Sequence, residues 1–453
     1  MKIIISGSGK VGEFLCKELS TEGNDITLIE KDPKVLEKVL SMADIRGIVG
    51  NGADPDILAE AEVADTDIYM GVTHSDEINL ISCVIAKKMG ARHTIARVRN
   101  PEYTSQMNFM REILSIEKII VPEHEAALFI VKNLEFPNAL SVESFADGQV
   151  SLVKYQVPAD TYLDHLKLSD FKANYFPHIL VCIVERGESV YIPTGNFILA
   201  AGDLIYVTGS RNDVTEFYKS LSDKKVEPVK TIFINGGGGL THYLVERLLA
   251  RRFRIKILEN DFHTAKTLSN AYGDAIEVIL GSGSDKNLLD AESFEKHDAC
   301  ICLADDDDEN VILSMYANKL GIRKIITKVD ETSLLGILGL SGFQSIVTPK
   351  KIIADTIVKI ARSMIGAQGG NIETLYRLSE NRVEAIEFKL NETSSVVGVP
   401  LRDLRLKENL LIAYIVRNGE ILFPDGNTAM RPDDRVIVIT TQKFLDDIDK
   451  ILE

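Results

Sequence analysis

The chain has 453 residues, 45% of them hydrophobic and 26% charged, with a formal net charge of −16. That length implies roughly three or four domains, and the composition is that of soluble globular protein. The acidic balance argues against a nucleic-acid partner, because phosphate binding wants a basic face, and against adhesion to anionic lipid by charge alone. No apolar run approaches the roughly 20 residues of a membrane-spanning helix. The chain opens directly on a strand, so a cytoplasmic protein is expected.

Ile3 to Ile5 form a short apolar run that breaks into Gly7-Ser8-Gly9-Lys10-Val11-Gly12. Apolar residues then recur at Val11, Phe14, Leu15 and Leu19, which is helical spacing. A second apolar run from Ile26 ends on Glu30. Strand, glycine turn, helix, strand and acid, in that order, make a dinucleotide-binding unit. Gly7 allows the tight turn, Gly9 lets backbone approach a pyrophosphate, and Gly12 lets helix and strand pack closely. The helix N-terminus offers unpaired N–H groups to phosphate. Glu30 can accept hydrogen bonds from both ribose hydroxyls, and its charge would repel a 2′-phosphate.

Strands are predicted at 2–6, 26–30, 45–49, 67–72, 94–98 and 118–121, alternating with helices as in a parallel, doubly wound sheet. Pro122 starts an apolar-periodic helix that Pro137 ends, read as an arm to the next domain. From about 138 to 222 the pattern becomes alternating strands, at 150–157, 179–184 and 204–207. A short helix near 163–170 and another near 211–221 complete a small α+β unit. Residues 222–228 form a polar linker. Five cysteines (Cys16, Cys83, Cys182, Cys300, Cys302) show no metal-ligand spacing and read as small buried residues; Cys300 and Cys302 share one face of a strand.

The opening pattern then returns. Thr231 to Gly239 repeats the strand and glycine turn, and Ile255 to Glu259 repeats the second strand and its acid. Gly7 matches Gly236 and Glu30 matches Glu259. Gly50–Asp54 matches Gly281–Asp285, Asp76–Asn79 matches Asp307–Asn310, and Tyr191–Asn196 matches Leu422–Asn427. The chain is a tandem duplication with two domains in each half. The expected boundaries are 1–136 and 137–222, then 229–366 and 371–453.

This four-part plan resembles the TrkA family of Trk potassium uptake systems. The resemblance is carried by Gly7–Gly12, Glu30, Val72-Thr-His-Ser-Asp-Glu77, Ala96-Arg-Val-Arg99 and the turns of the two small domains. It implies an α/β fold in which a Rossmann-like RCK (KTN) N-terminal domain is followed by a small α+β RCK C-terminal domain, twice over. It also implies a cytoplasmic regulatory subunit, peripheral on the inner face of the membrane, that binds NAD(H), or ATP or ADP. Such a subunit assembles as a homo-oligomer, here expected to be a tetramer, and gates an integral membrane potassium-transport pore.

The expected nucleotide site comprises Gly7, Ser8, Gly9, Lys10, Val11, Gly12, Glu30, Thr73, His74, Arg97 and Arg99, with Gly236, Gly238, Gly239 and Glu259 in the second half. Ligands of open α/β sheets bind beyond the carboxyl ends of the strands. That is where Thr73, His74, Arg97 and Arg99 fall, and cations there suit a di- or triphosphate. His74 reads as a loop residue rather than a general base, and neither a catalytic group nor a metal site is assigned. In the second half Lys10 becomes Gly239, Gly12 becomes Thr241, Arg97 becomes Lys328 and Arg99 becomes Asp330, while Asp305–Asp308 enter the crevice. The second site is therefore expected to be weak or dependent on a divalent ion, unless the aspartates merely cap the next helix. Thr241 is expected to crowd a contact that favours glycine. The alternative function is an NAD-dependent oxidoreductase, which needs a substrate domain with an acid/base group beside the nicotinamide. The domains of about eighty residues that follow hold no such constellation.

Overall fold

The structure is a computed structural model; it describes residues 1–100, 103, 107–136, 139–220, 229–331, 345–366, 372–379, 382–443 and 445–453. The proposed linker at 222–228, Pro137 and residues 367–370 lie outside the described residues. Two compact units result, residues 1–127 with 348–361, and residues 128–347 with 362–453.

The first unit holds a six-stranded parallel sheet in the order β3-β2-β1-β4-β5-β6, made of β1 (Lys2–Ser6), β2 (Asp25–Glu30), β3 (Arg46–Val49), β4 (Ile68–Gly71), β5 (His93–Arg97) and β6 (Lys118–Ile120). Its strands are apolar on both faces because helices cover both sides of such a sheet; Ile3, Ile4 and Ile5 are all buried. The connecting helices are α1 (Lys10–Ser20), α2 (Pro33–Leu40), α3 (Pro55–Glu60), α4 (Asp76–Met89) and α5 (Met107–Leu114), followed by the arm α6 (Pro122–Leu134). The chain reverses direction across the sheet between β1 and β4, which opens a crevice at their carboxyl ends. Gly7 and Thr73 meet there.

In the second unit an equivalent sheet has the order β14-β13-β12-β15-β16-β17, running from β12 (Thr231–Asn235) and β13 (Arg254–Glu259) through β14 (Glu277–Leu280), β15 (Ala299–Cys302) and β16 (Lys324–Lys328) to β17 (Ser345–Val347). Two five-stranded antiparallel sheets accompany it. The first has the order β10-β9-β11-β8-β7, with β7 (Ser141–Phe145), β8 (Val150–Gln156), β9 (Ile179–Arg186), β10 (Ser189–Tyr191) and β11 (Leu204–Ser210). The second has the order β18-β19-β22-β20-β21, with β18 (Ile372–Leu378), β19 (Val383–Lys389), β20 (Leu410–Arg417), β21 (Glu420–Leu422) and β22 (Arg435–Thr440). The two small sheets share one core, in which Phe145, Leu152 and Tyr206 pack with Ala385, Tyr414 and Ile437. Polar ties cross it, from Tyr414 Oη to the Thr208 carbonyl (2.6 Å) and from the Ala146 N–H to Glu387 Oε2 (3.1 Å).

Three local expectations change. The helix expected near 163–170 is α7 (Leu168–Asn174). His165 takes φ +64°, a left-handed conformation that stops a helix, and Leu163 reaches the core from a turn instead. Strand β11 runs on to Ser210 before α8 (Arg211–Ser220). In the second small domain the matching helices shrink to 3₁₀ turns at Leu401–Asp403 and Ile448–Ile451, the first entered through Pro400. The remaining helices of the second half are α9 (Gly239–Ala250), α10 (Phe262–Tyr272), α11 (Lys286–Ala291), α12 (Asp307–Lys319) and α13 (Pro349–Gly366). All five cysteines are free and buried, and burial pushes the thiols of Cys16 and Cys83 up to about 12. No described helix is long and apolar enough to cross a membrane.

Candidate functional site

The first crevice is built by close backbone approach. Gly7 has φ +103°, and a Cβ there would lie 2.7 Å from Thr73 Cα. A Cβ at Gly12 would fall 1.9 Å from the Gly7 carbonyl oxygen, so only glycine lets α1 start so near β1. At Gly9 a Cβ would meet open space, so internal packing does not demand glycine there, whereas a ligand lying across the turn would. Helices α2, α3 and α4 each carry a side-chain cap, from Asp32, Asp54 and Ser75; α1, which begins at Lys10 and Val11, has none. Its first-turn N–H groups are thus left for an anion. These features fit a pyrophosphate.

Glu30 sits at the end of β2 and already serves the turn. Its carboxylate accepts from the Ser8 N–H (2.8 Å), the Ser8 hydroxyl (2.7 Å) and the Asp32 N–H (3.1 Å). Burial pushes this carboxyl up, but those hydrogen bonds outweigh it and hold it below the ordinary carboxylate value. A carboxylate has about four lone-pair sites, so one remains for a ribose hydroxyl without rearrangement.

The other predicted residues are placed less simply. His74 is exposed, Lys10 is exposed at the start of α1, and Thr73 is half-buried. Arg99 donates to the His74 carbonyl and lies 3.8 Å from Asp76. Arg97 is half-buried, with Glu123 and Asp76 as its acidic neighbours; burial pulls its guanidinium down, and pushes the Glu123 carboxyl up. Buried Arg97 Nε, Glu123 Oε2 and Asp76 Oδ1 make no hydrogen bond. Both arginines therefore have acidic neighbours within the protein, and a phosphate would have to compete for them.

A buried asparagine outside the recognised motifs joins the two strand ends. Asn79 Oδ1 accepts from the Thr73 N–H and hydroxyl (both 2.7 Å), and its Nδ2 donates to the carbonyls of Thr73 and Arg97. Asp76 accepts from the N–H groups of Arg99 and Asn100. Asn310 and Asp307 repeat both jobs, bonding Ala304 and Lys328, and Asp330 and Glu331. The only sequence signal was their recurrence in the repeat.

The second crevice is a cavity of about 230 Å³ between the Gly236–Gly238 turn, Glu259 and the loop after β15. Gly236 repeats φ +103°, and Gly238 and Gly239 open α9, again without a side-chain cap. Glu259 accepts from the N–H groups of Gly237 and Asp261. Thr241 does not merely crowd the turn: its hydroxyl donates to the Gly236 carbonyl at 2.6 Å, turning the expected clash into a bond. Asp306 caps α12 and Asp307 holds the Asp330 and Glu331 backbone, while Asp305 is fully exposed. Glu309, outside the predicted set, lines the cavity and accepts from the Gly283 N–H and Asn235 Nδ2. No group of three or more His, Cys, Asp or Glu side chains is arranged for a metal ion among the described residues.

Comparison with known proteins agrees with this double architecture. A family model for the TrkA-N domain matches residues 3–122 and 232–349, and one for the TrkA-C domain matches 152–222 and 385–453. The Trk system potassium uptake protein TrkA homolog of Archaeoglobus fulgidus is 30% identical, over 100% of this chain and 99% of its own length. The Trk system potassium uptake protein TrkA of Vibrio alginolyticus is 28% identical, over 100% and 99%. A solved GsuK channel bound to NAD shares the fold with a TM-score of 0.63 at 15% identity, covering 98% of this chain and 77% of that one. The GsuK RCK domain does so with a TM-score of 0.63 at 16% identity, covering 98% and 92%. With both domain types matched twice and full-length relatives of the same name, this chain belongs to the TrkA family.

Proposed function

We propose that the chain is the cytoplasmic regulatory subunit of a potassium uptake system, binding NAD(H) or an adenine nucleotide in its first crevice and gating a membrane pore made by another chain. The observation that carries this is the uncapped start of α1 against Gly7, Gly9 and Gly12, with Glu30 at the end of the neighbouring strand. Gly7 to Gly12 would hold the pyrophosphate, Glu30 a ribose, and Arg97 and Arg99 the outer phosphate charge once released from Glu123 and Asp76. NAD(H) acts here as a bound signal, and no residue of the crevice is assigned a catalytic role. Support comes from full-length relatives that are Trk potassium uptake proteins and from a channel of the same fold solved with NAD.

The division into domains at 1–136, 137–222, 229–366 and 371–453 belongs to this reading, as does a tetramer in which the duplicated Rossmann-like domains form a closed ring. A ligand can gate only by its difference in affinity between two states. Isothermal titration with NADH, NAD and ADP tests the binding. Saturable binding that Glu30→Ala abolishes supports the reading, and no binding to any of the three rejects it. Sustained NADH consumption with a metabolite would turn the assignment towards an oxidoreductase.

A further inference from the structure

The two crevices share a backbone and differ in charge. Four carboxylates line the second cavity, those of Glu259, Asp305, Asp306 and Glu309, and no cationic side chain lines it among the described residues. Lys328, which takes the place of Arg97, lies 3.5 Å from Asp305 and 3.3 Å from Asp330 and is held between them. In the first half the place of Glu309 is taken by Ile78, so the carboxylate against the Gly283 N–H is particular to the second crevice. A nucleotide phosphate entering among these groups would meet like charge, most strongly from buried Glu259 and half-buried Glu309, since the charges of exposed Asp305 and Asp306 are screened by solvent.

The ribose end shows the opposite trend. Glu30 gives three of its about four lone-pair sites to Ser8 and Asp32, whereas Glu259 gives two, because Gly237 has no hydroxyl where Ser8 has one. A Cβ at Gly237 would stand 2.7 Å from Leu268 Cδ1 and 2.9 Å from Glu259 Oε2, so a side chain there would have to displace both side chains. Glu259 can therefore accept from both hydroxyls of a ribose without giving up its bonds to the turn. The cavity, about 230 Å³, is smaller than the roughly 300–1,000 Å³ usual for drug-sized ligands, and Leu258, Leu303 and Ala304 give it an apolar wall for a flat base.

We propose that the second crevice is a site for a phosphate-free nucleoside, neutral or positively charged at its 5′ end, while the first crevice takes the phosphate-bearing nucleotide. This rests on reading both crevices as nucleoside-binding folds, and it gives one chain two inputs of different charge.

The full-length chain is titrated calorimetrically with adenosine, 5′-amino-5′-deoxyadenosine and ADP, as the unaltered protein and as Glu30→Gln and Glu259→Gln. Adenosine is expected to bind one site per chain that Glu259→Gln removes and Glu30→Gln leaves in place. The 5′-ammonium analogue should bind that site more tightly than adenosine, with the gain shrinking as salt is raised. ADP should bind one site with the reverse dependence on the two variants. Asp305→Asn, which removes one carboxylate from the cavity lining and one of the two acidic partners of Lys328, should raise ADP affinity at the second site. Absence of adenosine binding, loss of it in Glu30→Gln, or two equal ADP sites per chain would overturn the proposal. If ADP fails to bind anywhere while adenosine binding still depends on Glu259, it is the nucleotide role of the first crevice that fails.

Discussion

The two crevices of this chain are a comparison made within one molecule. Gly7 and Gly236 share the same φ of +103°, and Asn79 and Asn310 close the same backbone clamp. What differs is the set of side chains around that frame. Ser8 faces Glu30 where Gly237 faces Glu259, Gly12 is replaced by a hydrogen-bonding Thr241, and Ile78 by Glu309. The left-handed turn glycine, the asparagine clamp and the strand-end acid are kept in both halves, while the side chains around them, at Ser8, Gly12 and Ile78, have been exchanged. A duplicated fold can thus keep its scaffold and alter its inputs, because backbone geometry tolerates few side chains whereas an open crevice tolerates many.

The largest contrast to test lies at one position of the fifth strand. Lys324 is fully buried, donating at 2.8 Å to the Ala139 carbonyl and to Ser345 Oγ, whereas its counterpart His93 is half-buried, 2.6 Å from Glu117. Burial brings the Lys324 ammonium down from 10.5 to about 7. Below about 7 the lysine is charged in both states and the burial penalty is complete. Between 7 and 10.5 the unfolded chain binds the extra proton, so stability rises with pH through that window. The unfolding free energy measured by urea denaturation should therefore climb from neutral to alkaline pH by an amount on the order of a few kcal/mol. Lys324→Met should flatten the slope, and His93→Leu should leave it alone. An unchanged slope in Lys324→Met would show that the ammonium is not the cause.

Next in size is the ligand's contribution to stability. A nucleotide at roughly 100 times its dissociation constant adds about 2.7 kcal/mol. Glu30→Ala should remove most of the thermal shift given by ADP or NADH, while the unliganded protein stays folded. Glu259→Ala should leave that shift in place, and equal losses would erase the distinction between the halves.

Two exchanges then probe the turns directly. Gly12→Thr forces a side chain against the Gly7 carbonyl and should destabilise by about 1–3 kcal/mol, with loss of ADP binding. Thr241→Gly gives up the bond to the Gly236 carbonyl and should cost only about 1 kcal/mol. Denaturant midpoints of the two variants decide this, and equal costs would mean that the two turns are interchangeable.

Much of this was legible in the residues. Short continuous apolar runs ending in glycines announced buried parallel strands, since a strand covered on both faces is apolar at every position and too short for a buried helix. The repeat located a second copy of every element of the first sheet, and of the crevice at its switch point. Local conformation was harder to read where a single φ decided it: at His165 a left-handed residue moves a helix by several positions, although the leucine spacing suits helix throughout.

The sequence by itself determined the order of strands and helices, the duplication, and the tight glycine turns at Gly7 and Gly236, because periodicity and turn chemistry are written locally. Only the tertiary structure decided what the polar and charged side chains do. It set Arg97 against Glu123 and Asp76, turned Thr241 Oγ1 onto the Gly236 carbonyl, brought Glu309 into the second cavity and buried Lys324 against Ala139. Each of these pairings joins residues on different elements, and a charge takes its role from the partners and solvent that folding gives it.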